Sequence, residues 1–85
     1  MNKTVPFAVM RSLLESLGFK VWKAKGGYTL AKHAASGCEL RFPAYQVDEG
    51  VTLVHQAATR HFLDVFGVLD KDRFDEELHR AMLAG

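Results

Sequence analysis

The chain has 85 residues, of which 48% are hydrophobic and 25% are charged, and its formal net charge is +1. This composition is typical of a single soluble globular domain and excludes an intrinsically disordered chain. Because Cys38 is the only cysteine, an internal disulfide and a cysteine cluster for zinc are both excluded. The sequence contains no apolar run of the roughly 18 residues that span a bilayer and no apolar signal-peptide core, so we expect a cytoplasmic protein without membrane contact.

Charge is distributed unevenly along the chain. Residues 1–45 contain seven Lys and Arg against two acidic residues, a net charge of +5. Residues 46–85 contain four against eight, a net charge of −4. A basic half favours binding to a polyanion such as a nucleic acid, although an imbalance of this size also arises by chance in small proteins.

Residues 4–18 are predicted to form the first helix. Thr4 is suited to the N-cap, Pro6 fits the first turn, and Gly18 can end the helix. The apolar side chains recur at helical spacing and are interpreted as facing the core. They are Phe7, Met10, Leu13, Leu14 and Leu17.

Residues 19–45 are predicted to form a three-stranded antiparallel sheet. Glycine-containing turns, which tolerate the positive φ of tight hairpins, separate three runs of strand-forming residues. The runs cover about residues 19–25, 28–34 and 38–44, and the turns lie at Lys25-Gly26-Gly27 and Ala35-Ser36-Gly37.

Alternation along the third run predicts a strand with one buried face. Cys38, Leu40 and Phe42 alternate with charged residues, so Cys38 is interpreted as a small buried hydrophobe rather than a nucleophile. The alternation in the first strand is imperfect. It leaves open whether Trp22 packs in the core or lies on the outside of the sheet.

Two more helices are predicted after a polar loop. The first covers about residues 53–66, and the second, short helix covers about residues 70–83 with Asp70 as its N-cap. The last helix either docks on the body of the domain or provides a contact surface for another chain. The apolar face of the earlier helix is formed by Val54, Ala58, Phe62 and Val65.

The predicted elements have the order α-β-β-β-α-α in one domain over residues 1–85. This order predicts an α+β fold in which the helices cover one face of the three-stranded sheet and the opposite face stays open to a ligand. RNA-binding domains of this size often have such a layout, but the layout alone does not determine a function.

Four tracts of the sequence carry a resemblance to a known family. They are Leu13-Leu14-Glu15-Ser16-Leu17-Gly18-Phe19, Ala24-Lys25-Gly26-Gly27-Tyr28-Thr29-Leu30-Ala31-Lys32-His33, Phe42-Pro43-Ala44-Tyr45 and Arg60-His61-Phe62-Leu63-Asp64-Val65-Phe66-Gly67-Val68. In this order, over about residues 10–80, they resemble the motifs of the HicA-type toxins, the YcfA-like family. The resemblance implies a fold similar to double-stranded-RNA-binding domains, metal-independent cleavage of mRNA, and neutralisation by a HicB-type antitoxin.

Two histidine positions of that family are occupied by tyrosine: its active-site histidine falls on Tyr28 and its second histidine on Tyr45. Metal-free RNA cleavage needs a base for the 2′-OH proton and an acid for the leaving oxygen, and a histidine with a pKa of about 6.5 can do both. A tyrosine, with a pKa of about 10, is a poor base but can stack on a nucleobase. His33 could replace the missing base, so Tyr28 and His33 are the catalytic candidates. In a regular strand these two side chains point to opposite faces, and His33 also fits a structural role.

Basic residues near Trp22 and Tyr28 suit phosphate contacts combined with base stacking. The alternative is a charged, solvated sheet edge that resists aggregation. No pair of histidines has the spacing and acidic neighbour of a metal site, so no metal or other cofactor is expected. The candidate RNA-binding residues are Lys20, Lys23, Lys25, Gly26, Gly27, Lys32, Arg41 and Tyr45.

The sequence therefore predicts an RNA-binding HicA-like toxin of a type II toxin–antitoxin system, with mRNA and a HicB-like antitoxin as its partners. Within this hypothesis, metal-independent endonuclease activity is favoured only slightly over binding alone. The alternative is a non-catalytic HicA-like module that binds RNA, or that binds a protein through its acidic C-terminal helix.

Overall fold

The computed structural model describes residues 5–84, which form five strands and three helices. No helix in this range is both long enough and apolar enough to cross a membrane. In chain order the elements are β1 (Val5–Pro6), α1 (Phe7–Ser16), β2 (Lys20–Lys23), β3 (Thr29–His33), β4 (Cys38–Phe42), β5 (Gly50–Val51), α2 (Leu53–Val65) and α3 (Lys71–Ala84).

Strands β2, β3 and β4 form an antiparallel sheet in which β3 is central. The predicted α+β class and the predicted three-stranded antiparallel sheet are confirmed. The register pairs Val21 with Ala31 and Ala31 with Leu40, so apolar residues of the three strands form one row on the same face. The sequence did not predict the second, two-stranded ladder, in which β1 pairs with β5.

The hairpin between β2 and β3 closes where the glycine pair was predicted to allow it. Gly26 and Gly27 have φ values of +98° and +88°, which residues with a Cβ rarely adopt. The amide of Ala24 donates to the carbonyl of Tyr28 at 2.8 Å, which extends the pairing beyond the regular strands. The turn therefore fixes the position of Tyr28, the residue immediately before β3.

One face of the sheet, which we call the inner face, is buried beneath the helices. Helix α1 packs against β2, α2 packs against β4, and α3 packs against both of these helices. The buried inner-face side chains are those of Thr29, Ala31, Cys38, Leu40 and Phe42.

Helix α1 buries the apolar stripe that its spacing predicts, formed by Phe7, Met10, Leu13 and Leu14. The helix begins at Phe7, whose amide donates to the carbonyl of Glu49 at 2.8 Å. The predicted N-cap, Thr4, lies outside the described residues. At the other end Gly18, with φ +100°, donates to the carbonyl of Glu15, and the next amide donates to the carbonyl of Leu14. This pair of hydrogen bonds is the Schellman arrangement that ends a helix.

Helix α2 lies close to its predicted bounds, but the side that it buries is not the apolar face predicted from spacing. Its buried side chains are Thr59 and Leu63. On the apolar face predicted from spacing, Val54 is 74% exposed, Val65 is 61% exposed and Phe62 is 42% exposed. The apolar face is therefore present, but residues 5–84 leave most of it exposed.

Helix α3 docks on the body, as the first of the two alternatives left by the sequence predicts, while its acidic face stays exposed. The predicted cap is present, because the side chain of Asp70 accepts a hydrogen bond from the amide of Arg73 at 2.8 Å. Phe74 is buried, and Leu78 and Met82 pack against the core.

Candidate nucleic-acid interface

The face of the sheet opposite the helices, which we call the outer face, carries mainly basic and aromatic side chains. Pairing places Lys20 beside Lys32, and Lys32 beside Glu39, in one row across the strands. The next row consists of Trp22, Leu30 and Arg41. All of these residues except Leu30, which is half-buried, are exposed. The outer face thus contains three cations and one tryptophan that the chain leaves open to solvent.

Trp22 lies outside the core, which answers the question that the alternation in β2 left open. Its side chain is 42% exposed and shares the outer face with Lys20 and Arg41. A large aromatic ring that is open to solvent between cations is suited to stacking on a nucleobase.

Tyr28 adjoins the outer face two residues before Leu30, one row beyond the Trp22–Leu30–Arg41 row. The guanidinium carbon of Arg41 lies 5.6 Å from the centroid of the Tyr28 ring, within the range of a cation–π contact. Arg41 also lies 3.9 Å from Glu39, a long and exposed ion pair that stabilises little. The two side chains that the sequence singled out separately, Tyr28 and Arg41, are therefore neighbours.

The remaining predicted RNA-binding residues are not all on the outer face. Lys25, Gly26 and Gly27 form the hairpin tip next to Tyr28, where Lys25 is exposed. Lys23 pairs with the buried Thr29 and so has inner-face parity, but it lies at the edge of the sheet and is exposed.

Tyr45 lies in the loop after β4, away from the outer face. Its ring stacks on Phe7, with 5.5 Å between the ring centroids, and is half-buried against the core. The structure therefore separates Tyr45 from the basic residues with which the sequence grouped it.

His33 is held on the inner side of the sheet by hydrogen bonds at both ring nitrogens. Nδ1 lies 2.8 Å from Oγ of Ser36, and Nε2 lies 3.1 Å from the carbonyl oxygen of Leu17, to which it donates. The ring also packs on Phe19, with 5.0 Å between centroids. Thr29 and Tyr28 are adjacent in the chain and Thr29 is buried, so His33 and Tyr28 lie on opposite faces. The structure does not bring the two predicted catalytic residues together.

A different histidine, His55 in the first turn of α2, lies near the tyrosines. Its Nδ1 is 2.8 Å from the hydroxyl of Tyr45 and 2.9 Å from Oγ1 of Thr52. Thr52 is the N-cap of α2, and its amide donates to the Tyr45 hydroxyl at 3.1 Å. Within the described residues Nε2 of His55 has no hydrogen-bond partner, so this nitrogen is available to a ligand.

His55 and the Tyr28–Arg41 pair line the same open depression beside the end of β4. The depression has a volume of about 300 Å³ and is completed by Phe42 and Pro43. An aromatic ring, a guanidinium group and an imidazole around one cavity can stack on a base, bind a phosphate and accept a proton. We refer to this depression as the β4 pocket.

His55 was not among the site residues predicted from the sequence, because it is far along the chain from the other residues of the β4 pocket. Arg41 is fourteen residues earlier and Tyr28 is twenty-seven residues earlier, so no local spacing joins them to His55. The only local signal was Thr52, a good N-cap three residues before the histidine. This signal marks the helix start but not the pocket.

Cys38 is buried on the inner face, and burial raises the pKa of its thiol. The thiol is therefore protonated at neutral pH, which agrees with its interpretation as a small hydrophobe. Within residues 5–84, no group of three His, Cys, Asp or Glu side chains is arranged to hold a metal ion.

Comparisons with family models, with curated proteins and with solved structures gave no match to this chain.

Proposed function

We propose that this protein binds RNA across the outer face of its sheet, as a HicA-like toxin with a fold similar to double-stranded-RNA-binding domains. The observation that carries the proposal is the open outer face, which Lys20, Lys32 and Arg41 share with the exposed Trp22. Cations along a strand path neutralise phosphates, and exposed rings stack on unpaired bases. The hairpin tip with Lys25 extends the same surface beyond Tyr28.

Binding can be followed with the protein's own fluorescence, because Trp22 is the only tryptophan and lies within the proposed interface. Titration with single-stranded RNA is expected to quench this fluorescence. On single strands the logarithm of the binding constant falls with the logarithm of salt concentration with a slope of about −0.7 for each neutralised phosphate. Lys32→Ala and Arg41→Ala should each make that slope shallower by about 0.7.

Arg73→Ala is the matched control for the binding experiment. Arg73 is an exposed cation on α3, so its removal lowers the net charge by the same amount without touching the outer face. Equal effects of Arg73→Ala and Arg41→Ala would show non-specific attraction and contradict the proposed interface. Absence of RNA binding even at low salt would overturn the proposal that the outer face is an RNA-binding surface.

Cleavage of the bound RNA is the second part of the proposal, and the β4 pocket supports it. When Nδ1 of His55 donates its proton to Thr52 or Tyr45, Nε2 carries the lone pair that a general base needs. Nε2 takes the 2′-OH proton, the 2′-oxygen attacks phosphorus to form a 2′,3′-cyclic phosphate, and the bond to the 5′-oxygen breaks as that oxygen takes a proton from water. Arg41 stabilises the negative charge that develops on the phosphoryl oxygens. These steps need no metal.

The cleavage experiment is incubation with mRNA in EDTA. His55→Ala is expected to lower the cleavage rate by at least a hundredfold, the usual contribution of a positioned general base. His61→Ala is the control, because His61 is exposed on the same helix, outside the β4 pocket. Cleavage that is unchanged in His55→Ala would overturn the role of this histidine. Tyr28→His tests whether the histidine expected at that position increases the rate.

A specific observation also supports the alternative of a non-catalytic module. Within the described strands the outer face contains no histidine, and His33 is engaged in hydrogen bonds at both ring nitrogens. RNA binding without any cleavage in EDTA would favour this alternative. Under either function a HicB-like antitoxin is the proposed protein partner, and its addition should release bound RNA and restore Trp22 fluorescence.

A further inference from the structure

The two edge strands of the sheet, β2 and β4, differ in how strongly they are protected against pairing with a further strand. At the β2 edge, Nη2 of Arg11 donates to the carbonyl oxygen of Val21 at 3.4 Å, and Lys20 and Lys23 are exposed. Like charges on an edge strand oppose pairing with another strand. At the β4 edge, the backbone of residues 39–42 has β3 as its only backbone partner within residues 5–84. The β4 edge is therefore free to pair with a further strand.

Helix α2 packs against β4, the strand at this free edge. Between α2 and β4 lies a groove of about 270 Å³, lined on the helix side by Ala58 and Phe62. Further round the same helix, Val54 and Val65 are exposed. An exposed apolar stripe next to an unpaired strand is the surface that an added strand and its own helix layer would cover.

The residues of β4 favour one occupant, a second copy of β4. An antiparallel pair centred on Leu40 places Glu39 of one copy opposite Arg41 of the other, twice by symmetry. These charges lie on the outer face of both copies, while Cys38, Leu40 and Phe42 all lie on the inner face. Opposite charges in directly facing positions stabilise an antiparallel pair. In such a pair, opposite charges face each other on the outer face, and the apolar side chains of both copies lie on the inner face.

We propose that the protein forms a symmetric dimer in which β4 pairs antiparallel with β4 of a second copy, centred on Leu40. The two three-stranded sheets then form one six-stranded sheet, and the exposed stripes of the two α2 helices pack against each other across the two-fold axis. The outer faces become one continuous surface. Because the β2 edges carry Lys20 and Lys23, the assembly closes at two copies rather than growing into a filament. This inference does not depend on the proposed RNA binding.

The test is the oligomeric state of the full chain, measured by sedimentation equilibrium over a range of concentrations. The chain is expected to show a reversible monomer–dimer equilibrium. Glu39→Lys and Arg41→Glu each place like charges opposite each other at two positions, and each should weaken dimerisation by about tenfold or more. The charge-swapped double variant, Glu39→Arg with Arg41→Glu, restores opposite charges and is expected to restore the dimer.

Glu76→Lys is the control, because Glu76 is an exposed acid on α3, away from β4. Circular dichroism of each variant separates a loss of dimer from a loss of fold. A chain that stays monomeric at all concentrations overturns the proposal. A dimer that neither single charge reversal weakens also overturns it, because its interface then lies elsewhere.

Discussion

Helices α1 and α2 both carry an apolar stripe at helical spacing, but the chain buries only the stripe of α1. Leu14 of α1 is fully buried, and α1 packs against β2 and α3, whereas Val65 of α2 is 61% exposed. Helix α2 instead turns Thr59 and Leu63 toward the core. The comparison teaches that spacing identifies an apolar face, while the arrangement of the other elements determines whether the same chain covers it.

The largest expected effect is the loss of stability when a side chain in the buried stripe of α1 is shortened. Leu14→Ala leaves a cavity among the side chains of the core and is expected to lower the free energy of unfolding by about 2–5 kcal/mol. Urea unfolding followed by Trp22 fluorescence measures this change. A loss below about 1 kcal/mol would mean that the α1 stripe is not the centre of the core.

The next difference concerns the way in which the C-terminal end of α1 is anchored to the sheet. Nε2 of His33 donates to the carbonyl oxygen of Leu17, so His33→Ala leaves that acceptor and Ser36 without their partner. We expect a loss of about 1–3 kcal/mol in unfolding free energy. His61→Ala on α2 is the matched control, since the exposed His61 should change stability by less than about 0.5 kcal/mol.

Replacing the glycine that follows each helix by alanine should also cost more stability at α1 than at α2. Gly18 has φ +100°, and a Cβ there would lie 3.4 Å from Nε2 of His33. Gly67 has φ +70°, and a Cβ there would meet no atom within 4 Å. Gly18→Ala should therefore cost about 1–3 kcal/mol, whereas Gly67→Ala should cost about 1 kcal/mol. The same urea measurement tests the order, and a larger loss for Gly67→Ala would contradict it.

The smallest effect is expected on the exposed stripe of α2. At a concentration where the chain is monomeric, Val65→Ser should change the unfolding free energy by less than about 0.5 kcal/mol, since little apolar area is buried there. At higher concentration the same variant should weaken dimerisation. A large loss of monomer stability would show that the chain itself covers this stripe and would remove the contrast between the helices.

The sequence by itself determined the three helices and the three strands of the main sheet, but not the short β1–β5 ladder, because helix caps, glycine turns and apolar periodicity act over a few residues. Gly18, Asp70 and the Gly26–Gly27 turn lie where local rules placed them, and alternation correctly predicted the buried face of β4. These features depend on backbone geometry and on side chains within one helical turn or one hairpin.

Only the tertiary structure decided which side chains meet. His33 lies on the inner side of the sheet, where it binds the carbonyl oxygen of Leu17. Arg41 contacts the ring of Tyr28, and His55, from a helix far along the chain, lines the same pocket. The tertiary structure also left the stripe of α2 uncovered. The physical reason is that these outcomes depend on how whole elements pack and pair, and this packing reflects the total burial of the fold rather than the spacing of residues in any one segment.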